Sequence, residues 1–407
     1  MSTEFEGFLF EDPEGYEPTS AYTLGGLCPI RLGCDLGSPP RYRIIAKLGF
    51  GAYSTVWLAH DRVDKRNVAL KIVEARTSSS NELSMLQRLR APDTEAPHVI
   101  QLLDAFEHTS PNGLHQVFVT EPVHPVDLFR CQAFRPVITR EALRQTIAAL
   151  AFIHSHGIAH GDVRPDNFGM AIHEIERLSV IKICGLTYTP TLMAILHSSS
   201  EYQQSFPPYL CSKIDLSRLL FSNARPFTQR PLSMRILDLG NAYIVGECPP
   251  PRVNTPITYA SPEVAFAQKA LNHLDAPWDC RSDIWSLAVS MYALACSHPI
   301  FECGERVLHE MTHYCGEVPD AWREYLHSKP FQDDIVPGPE HADRLWKERE
   351  EVISRCDVEN PAELVRLLRR MMQLNPANRP TAAELLRDPY FDGLHEHDLV
   401  QDHGLLT

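Results

Sequence analysis

Four groups of side chains, in fixed order along a 407-residue chain, have the types needed to move a phosphoryl group. Leu48, Gly49, Phe50, Gly51, Ala52, Tyr53, Ser54 and Val56 form a glycine turn between two apolar runs. Gly49 and Gly51 let its backbone amides approach phosphate oxygens, because a Cβ there would collide and a positive φ would be strained for other residues. Lys71, after the apolar Val68, Ala69 and Leu70, carries an ammonium that can neutralise the first two phosphates of a triphosphate. Asp162 supplies a carboxylate to accept or orient the proton of an attacking hydroxyl, with Arg164 two positions on. Asn167 and Asp238 supply hard oxygen ligands of the kind magnesium prefers. Each group alone recurs by chance; the order and spacing of all four are hard to reproduce accidentally.

Two kinds of pattern must hold these groups. From Tyr42 to Val73 the chain alternates as strands do, and two further strands are predicted near 100–105 and 116–121. Between them, residues 82–89 have helical spacing, with Ser80 and Asn81 as candidate caps and Glu82 placed to pair with Lys71. Beyond the connector Pro122–Pro125 the patterns turn helical, at 140–156, 282–297, 361–374 and 382–386. The expectation is an α+β chain of two lobes. Residues 1–40 form an extended tail able to pack on the following domain, 41–122 a small β-rich N-lobe, 123–395 a larger, mainly helical C-lobe, and 396–407 a C-terminal tail. The stretch from Asn167 to Asp238 is too long for a hairpin, so about 171–231, with its serines and prolines, is predicted to be a partly ordered insertion.

Composition narrows the function classes. Hydrophobic residues at 44% and charged residues at 22% are ordinary globular usage. A formal charge of −14 argues against direct nucleic-acid binding and suits a basic peptide partner. The eleven cysteines include no Cys-x-x-Cys pair, which speaks against a zinc ribbon or a thioredoxin-type centre and for reduced thiols in cytoplasm or nucleus. No apolar run is long enough for a membrane span. His154, His156 and His160 have a spacing that invites a metal reading, but no cysteine or carboxylate cluster completes such a site; His154 is expected to end a helix and His160 to brace the loop of Asp162.

Together these residues resemble the serine/arginine-protein kinases of eukaryotes, in particular their shorter fungal relatives. The resemblance rests on Leu48 to Ala59 with Ser54 in place of a third glycine, on Asp238, Leu239, Gly240, Asn241 and Ala242 with leucine after the aspartate, and on Glu14 to Pro18 leading to Arg41 to Ile44. The site of the insertion agrees. The resemblance implies a bilobal protein-kinase fold and a serine/threonine kinase using ATP and Mg2+ on protein substrates, arginine/serine-rich ones above all.

The adenine would lie between Val56 and Ala69, bonding to backbone near Glu121 and Val123, with Thr120 gating the pocket behind. Asp162 would be the base, and Asn167 and Asp238 the metal ligands. Glu263 would pair with Arg379, Asp283 would cap the catalytic loop, and Thr255 or Thr258 would line the acceptor site. Asp333, Asp334, Glu340 and Asp343 are candidates for an acidic docking surface. Gly161 stands where many kinases carry an arginine that binds an activation-loop phosphate, so activity without that phosphate is expected. Arg164 stands where lysine is usual, and a planar fork is not equivalent to an ammonium, so slower transfer is expected. The alternatives are an ATP-binding pseudokinase scaffold and, less in keeping with Ser261 to Glu263, a small-molecule kinase.

Overall fold

The computed structural model describes residues 15–77, 80–90, 98–125, 135–186, 190–195, 204–214, 216, 233–247, 255–271, 278–302, 304–329, 337–356 and 358–393. Two compact units arise: residues 1–83, 101–124 and 171–227, and residues 84–100, 125–170 and 228–407.

The first unit is built on an antiparallel sheet of β1 (Asp35–Leu36), β2 (Tyr42–Phe50), β3 (Ser54–Asp61), β4 (Arg66–Val73), β5 (Leu102–Ser110) and β6 (Gly113–Thr120), in the order β1-β2-β3-β4-β6-β5. Ile44, Trp57, Val68, Leu70, Ile72, Val117 and Val119 turn one face into a core, as the alternation in sequence dictates. The helix Ser80–Leu89 starts one residue earlier than a Ser80 cap allows, and Asn81 lies in its first turn.

Parts of the N-terminal tail and of the insertion join this core. The N-terminal tail packs on the sheet between Tyr16 and Leu36: Cys28, Ile30 and Leu36 enter the sheet's core with Cys211, and Tyr22 and Leu27 bury completely beside Leu210. Full burial of such side chains contributes about 1.5–3 kcal/mol each. Polar bonds fix the arrangement. Asn112 Nδ2 donates to Leu27 O at 2.7 Å and to Ser205 O at 2.8 Å, and Leu32 N donates to the Tyr209 hydroxyl at 3.0 Å. Earlier in the insertion, Asn67 Nδ2 donates to Ile175 O and Leu178 O at 2.7 and 2.8 Å. Of the described insertion, Leu210 and Cys211 thus join the buried cores, while Val180, Ile181 and Leu192 stay exposed. The remainder of 171–231 lies outside the described residues.

The second unit is mainly helical. At its centre runs Cys280–Cys296, whose Asp279 cap and Ser282 form a reciprocal capping box and whose chain leaves the helix through a left-handed Ser297. Arg135–Ser155, Pro361–Met371 and Ala382–Leu385 match the predicted helices within a few residues. Pro262–Ala270, Val307–Cys315, Asp320–Ser328 and Pro339–Ser354 were not foreseen. Two short antiparallel ladders frame the residues of interest: Met234–Ile236 pairs with Met170 to Phe168, and Tyr243–Ile244 with Ala159 and Ile158.

Candidate active site

In the first unit, Lys71 occupies the middle of β4, opposite Val56 of β3 and Phe118 of β6. Its Nζ donates to Glu82 Oε1 at 2.7 Å, with Glu82 buried, so the helix carrying Glu82 holds the ammonium in one place. Gly49 and Gly51 lie on the β2–β3 turn, where Gly51 N donates to Ser54 O at 2.9 Å. The conformational part of the expectation for them does not hold, since neither adopts a positive φ. What glycine provides there is room: a Cβ at either position would meet nothing within 4 Å, leaving the backbone open to a phosphate. Ala69 is buried opposite Thr120 of β6, and Thr120 Oγ1 donates to Glu121 O at 3.2 Å. Glu121 is buried, its carboxylate accepting from Gln101 N at 3.3 Å, and Val123 is nearly buried.

In the second unit, residues 160–167 are held from several sides. Asp283 Oδ2 accepts from His160 N at 2.7 Å and from His154 Nε2 at 2.9 Å, while Oδ1 accepts from Gly161 N at 2.9 Å. The three histidines are therefore spoken for structurally: His160 Nε2 bonds Leu237 O, and His156 Nδ1 bonds Phe152 O. Among the described residues no three His, Cys, Asp or Glu side chains converge on a metal position. Asp162, 6% exposed, has Oδ2 tied to Asn167 Nδ2 at 2.8 Å and to Arg164 Nε at 3.2 Å. Its Oδ1 is buried and has no hydrogen-bond partner. Asn167 Nδ2 also donates to Asp162 O at 2.8 Å, which commits its amide nitrogen and leaves the side-chain oxygen as the group to offer a cation. Asp238 is exposed in a left-handed conformation at φ 59°, and its Oδ1 accepts from Gly240 N at 3.3 Å. These are hard oxygen donors in the second unit, of the type a divalent ion shared with phosphates takes.

Arg164 folds back along the loop, with Nη1 donating to Asp166 at 3.0 Å. Gly161 has φ 76°, and a Cβ there would lie 2.3 Å from the Trp278 ring. Trp278 thus fills the space into which an arginine at 161 would project. Tyr243 stacks edge-on against Trp278 and hydrogen-bonds its carbonyl, and Thr255 Oγ1 donates to Gly161 O at 2.5 Å. Thr255 and Thr258 are both buried, and it is Thr255 that touches the loop. Trp278 stands outside every motif, and only the missing side chain at 161 hinted at such a neighbour. Installing the arginine, Gly161→Arg, is expected to lower the melting temperature and remove most activity rather than create dependence on phosphorylation. Melting curves and turnover of the purified variant measure this.

Further out, Glu263 meets Arg379 through two bonds of 2.9 and 2.7 Å. Burial alone would raise the Glu263 pKa, but the Arg379 bonds and charge outweigh it and hold the carboxyl below its usual range. Of the acidic docking candidates, Asp333 and Asp334 lie outside the described residues, Glu340 sits in the first turn of Pro339–Ser354, and Asp343 is 2.5 Å from Arg369.

The sequence profile of the protein kinase domain matches residues 42–188 and 219–391. A serine/threonine-protein kinase SRPK from Physarum polycephalum is 27% identical over 94% of this chain and 92% of its own. Protein kinase dsk1 of Schizosaccharomyces pombe is 36% identical over 43% of this chain and 34% of its own, and SRSF protein kinase 3 of Sus scrofa 31% over 50% and 35%. Among solved structures, a crystallised kinase domain superposes with a TM-score of 0.58 at 16% identity, covering 89% of this chain and 98% of that one, which bears on the fold. The bilobal kinase fold, the use of ATP with a divalent metal and a protein substrate follow, and the scaffold alternative is not favoured; the chain belongs to the protein kinase family, as an SRPK-like serine/threonine kinase.

Proposed function

We propose that this kinase transfers the γ-phosphate of ATP, with Mg2+, to serine and threonine hydroxyls in basic, arginine/serine-rich protein segments. The observation that carries the catalytic part is the unpartnered Asp162 Oδ1. A buried carboxylate oxygen without a hydrogen bond is costly, and an incoming hydroxyl satisfies it. Asn167 and Arg164 occupy the other oxygen and so fix which one faces the nucleophile. Arg164 keeps a positive charge beside the base, and its second bond to Asp166 restrains the fork. Lys71, steadied by Glu82, and the open backbone at Gly49 and Gly51 would hold the phosphates. The metal would neutralise charge on the phosphate oxygens, with Asn167 and Asp238 as its protein ligands.

The arginine/serine preference is supported by the likeness to an SRPK and to SRSF protein kinase 3 and by the formal charge of −14. Radiolabelled transfer to an Arg-Ser repeat peptide, compared with a generic basic protein, tests it. Preference for the repeat peptide is expected; equal or lower transfer to it removes the substrate class while leaving the kinase.

A further inference from the structure

We propose that Glu17, in the N-terminal segment, is a positioning residue for the phosphate loop and acts through Lys47. This rests on the reading of Gly49 and Gly51 as that loop. Lys47 is on β2 directly before Leu48 and Gly49, at the point where the β2–β3 register shifts, a bulge of the kind that re-aims strands beside active sites. Its side chain is wholly buried. The ammonium is bonded to Glu17 Oε2, and the other Glu17 oxygen accepts from the Tyr22 hydroxyl at 2.6 Å, so both carboxylate oxygens are used.

The same ammonium lies 5.1 Å from the ring centre of Trp57 and 5.7 Å from that of Phe50, the residue between the two loop glycines. A cation held over an aromatic face in a dry site attracts it more strongly than in water. Trp57 is itself fixed by a 2.9 Å bond from its Nε1 to Thr55 Oγ1, and Thr55 faces Phe50 across the hairpin. The main chain is held as well: Lys47 O accepts from Ile214 N at 2.8 Å, and Lys47 bridges Lys213 in parallel. The N-terminal segment therefore grips the side chain of Lys47, and the insertion grips its backbone.

A buried ion pair is weak evidence for stability, because apolar residues of similar volume often serve as well. What an apolar pair lacks here is the charge over Phe50. Without it the loop aromatic loses its anchor, and the backbone amides of the loop spend less time arranged for phosphate. The effect falls on nucleotide binding and not on the base, which lies in the other unit.

Five full-length variants test this: Glu17→Gln, Lys47→Met, these two together (the combined variant), Phe50→Leu, and Lys47→Met with Phe50→Leu. For each, binding of a non-hydrolysable ATP analogue with Mg2+ is measured by calorimetry, beside KM for ATP, kcat and melting temperature. The expected result is a rise of about tenfold in analogue Kd and in KM for ATP in every variant, with kcat within twofold of the parent for Glu17→Gln and Lys47→Met. The combined variant regains melting temperature relative to the single ones while its KM stays raised, and adding Lys47→Met to Phe50→Leu produces no further rise. Parental KM and Kd in a combined variant that melts like the parent would reduce the pair to packing and overturn the proposal; so would additive effects of Lys47→Met and Phe50→Leu. Calorimetry needs no turnover, so absence of phosphotransfer in the parent would count against the proposed function and leave this test intact.

Discussion

Asp162→Asn is expected to lower kcat by about 10²–10⁴-fold while leaving the melting temperature within a few degrees of the parent. The amide keeps the shape of the carboxylate and can still accept from Asn167, but it cannot take a proton from the attacking hydroxyl. The magnitude is that of a positioned general base, and it applies because Oδ1 is buried with no other bond to make. KM for ATP should change little, since Asp162 belongs to the second unit and the glycine turn to the first. Steady-state kinetics with the Arg-Ser peptide, at saturating and limiting ATP, separates the two parameters. Retention of parental kcat would remove Asp162 from its role and, with it, the account given of Arg164 and Asn167.

The largest effect on stability is expected from Arg379→Ala. All five donors of this guanidinium are engaged or face acceptors: Nη1 and Nη2 reach Glu263, Nη1 also reaches Arg281 O, Nη2 reaches Leu374 O, and Nε reaches Gln373 O at 2.8 Å. The side chain is wholly buried and lies 5.5 Å from the Trp285 ring centre. Removing it strands the Glu263 carboxylate, a loss of about 3–5 kcal/mol for a broken buried pair. That is a large part of the roughly 5–15 kcal/mol that holds a typical domain together. A fall of roughly 10 °C in melting temperature follows.

The pH dependence has a definite sign. The folded pKa of Glu263 is lowered, so the parent has the full contribution of the pair above about pH 4.3 and loses it as pH falls through the lower folded value. In Arg379→Ala the stranded carboxylate favours protonation instead, so the gap between variant and parent narrows on acidification. Thermal melts from pH 7 to pH 4 show it. A gap that stays constant or widens would mean that Glu263 finds another partner.

What the sequence disclosed and what it hid follow a physical division. Lys71, Asp162, Asn167 and Asp238 were legible because phosphoryl transfer demands particular groups and each sits in a short local pattern of strand, turn or loop. The helices 140–156 and 282–297 were legible because sustained apolar spacing survives small errors at the ends. Glu17 and Lys47 left no such trace. Their separation of 30 residues obeys no period, and a lysine in a strand ordinarily reads as solvent-facing. The helix Asp320–Ser328 was missed for a related reason: its only buried side chains are Trp322 and Leu326, too few for a periodic signal. What the insertion packs against left no trace, because serines and prolines describe how a segment turns, not what it covers. Leu210 and Cys211 bury only because Tyr22, Leu27 and Cys28 leave a surface for them.

That shared surface also sets a clock for synthesis. The sheet from β2 to β6 can pair once residue 120 has left the ribosome, but Leu32, Lys47 and Asn112 wait for Tyr209, Ile214 and Ser205. At about 5–20 residues per second, the roughly one hundred residues between make a delay of about 5–20 s. Through that interval the buried faces of Tyr22 and Leu27 are open to water, and to whatever chaperone recognises them.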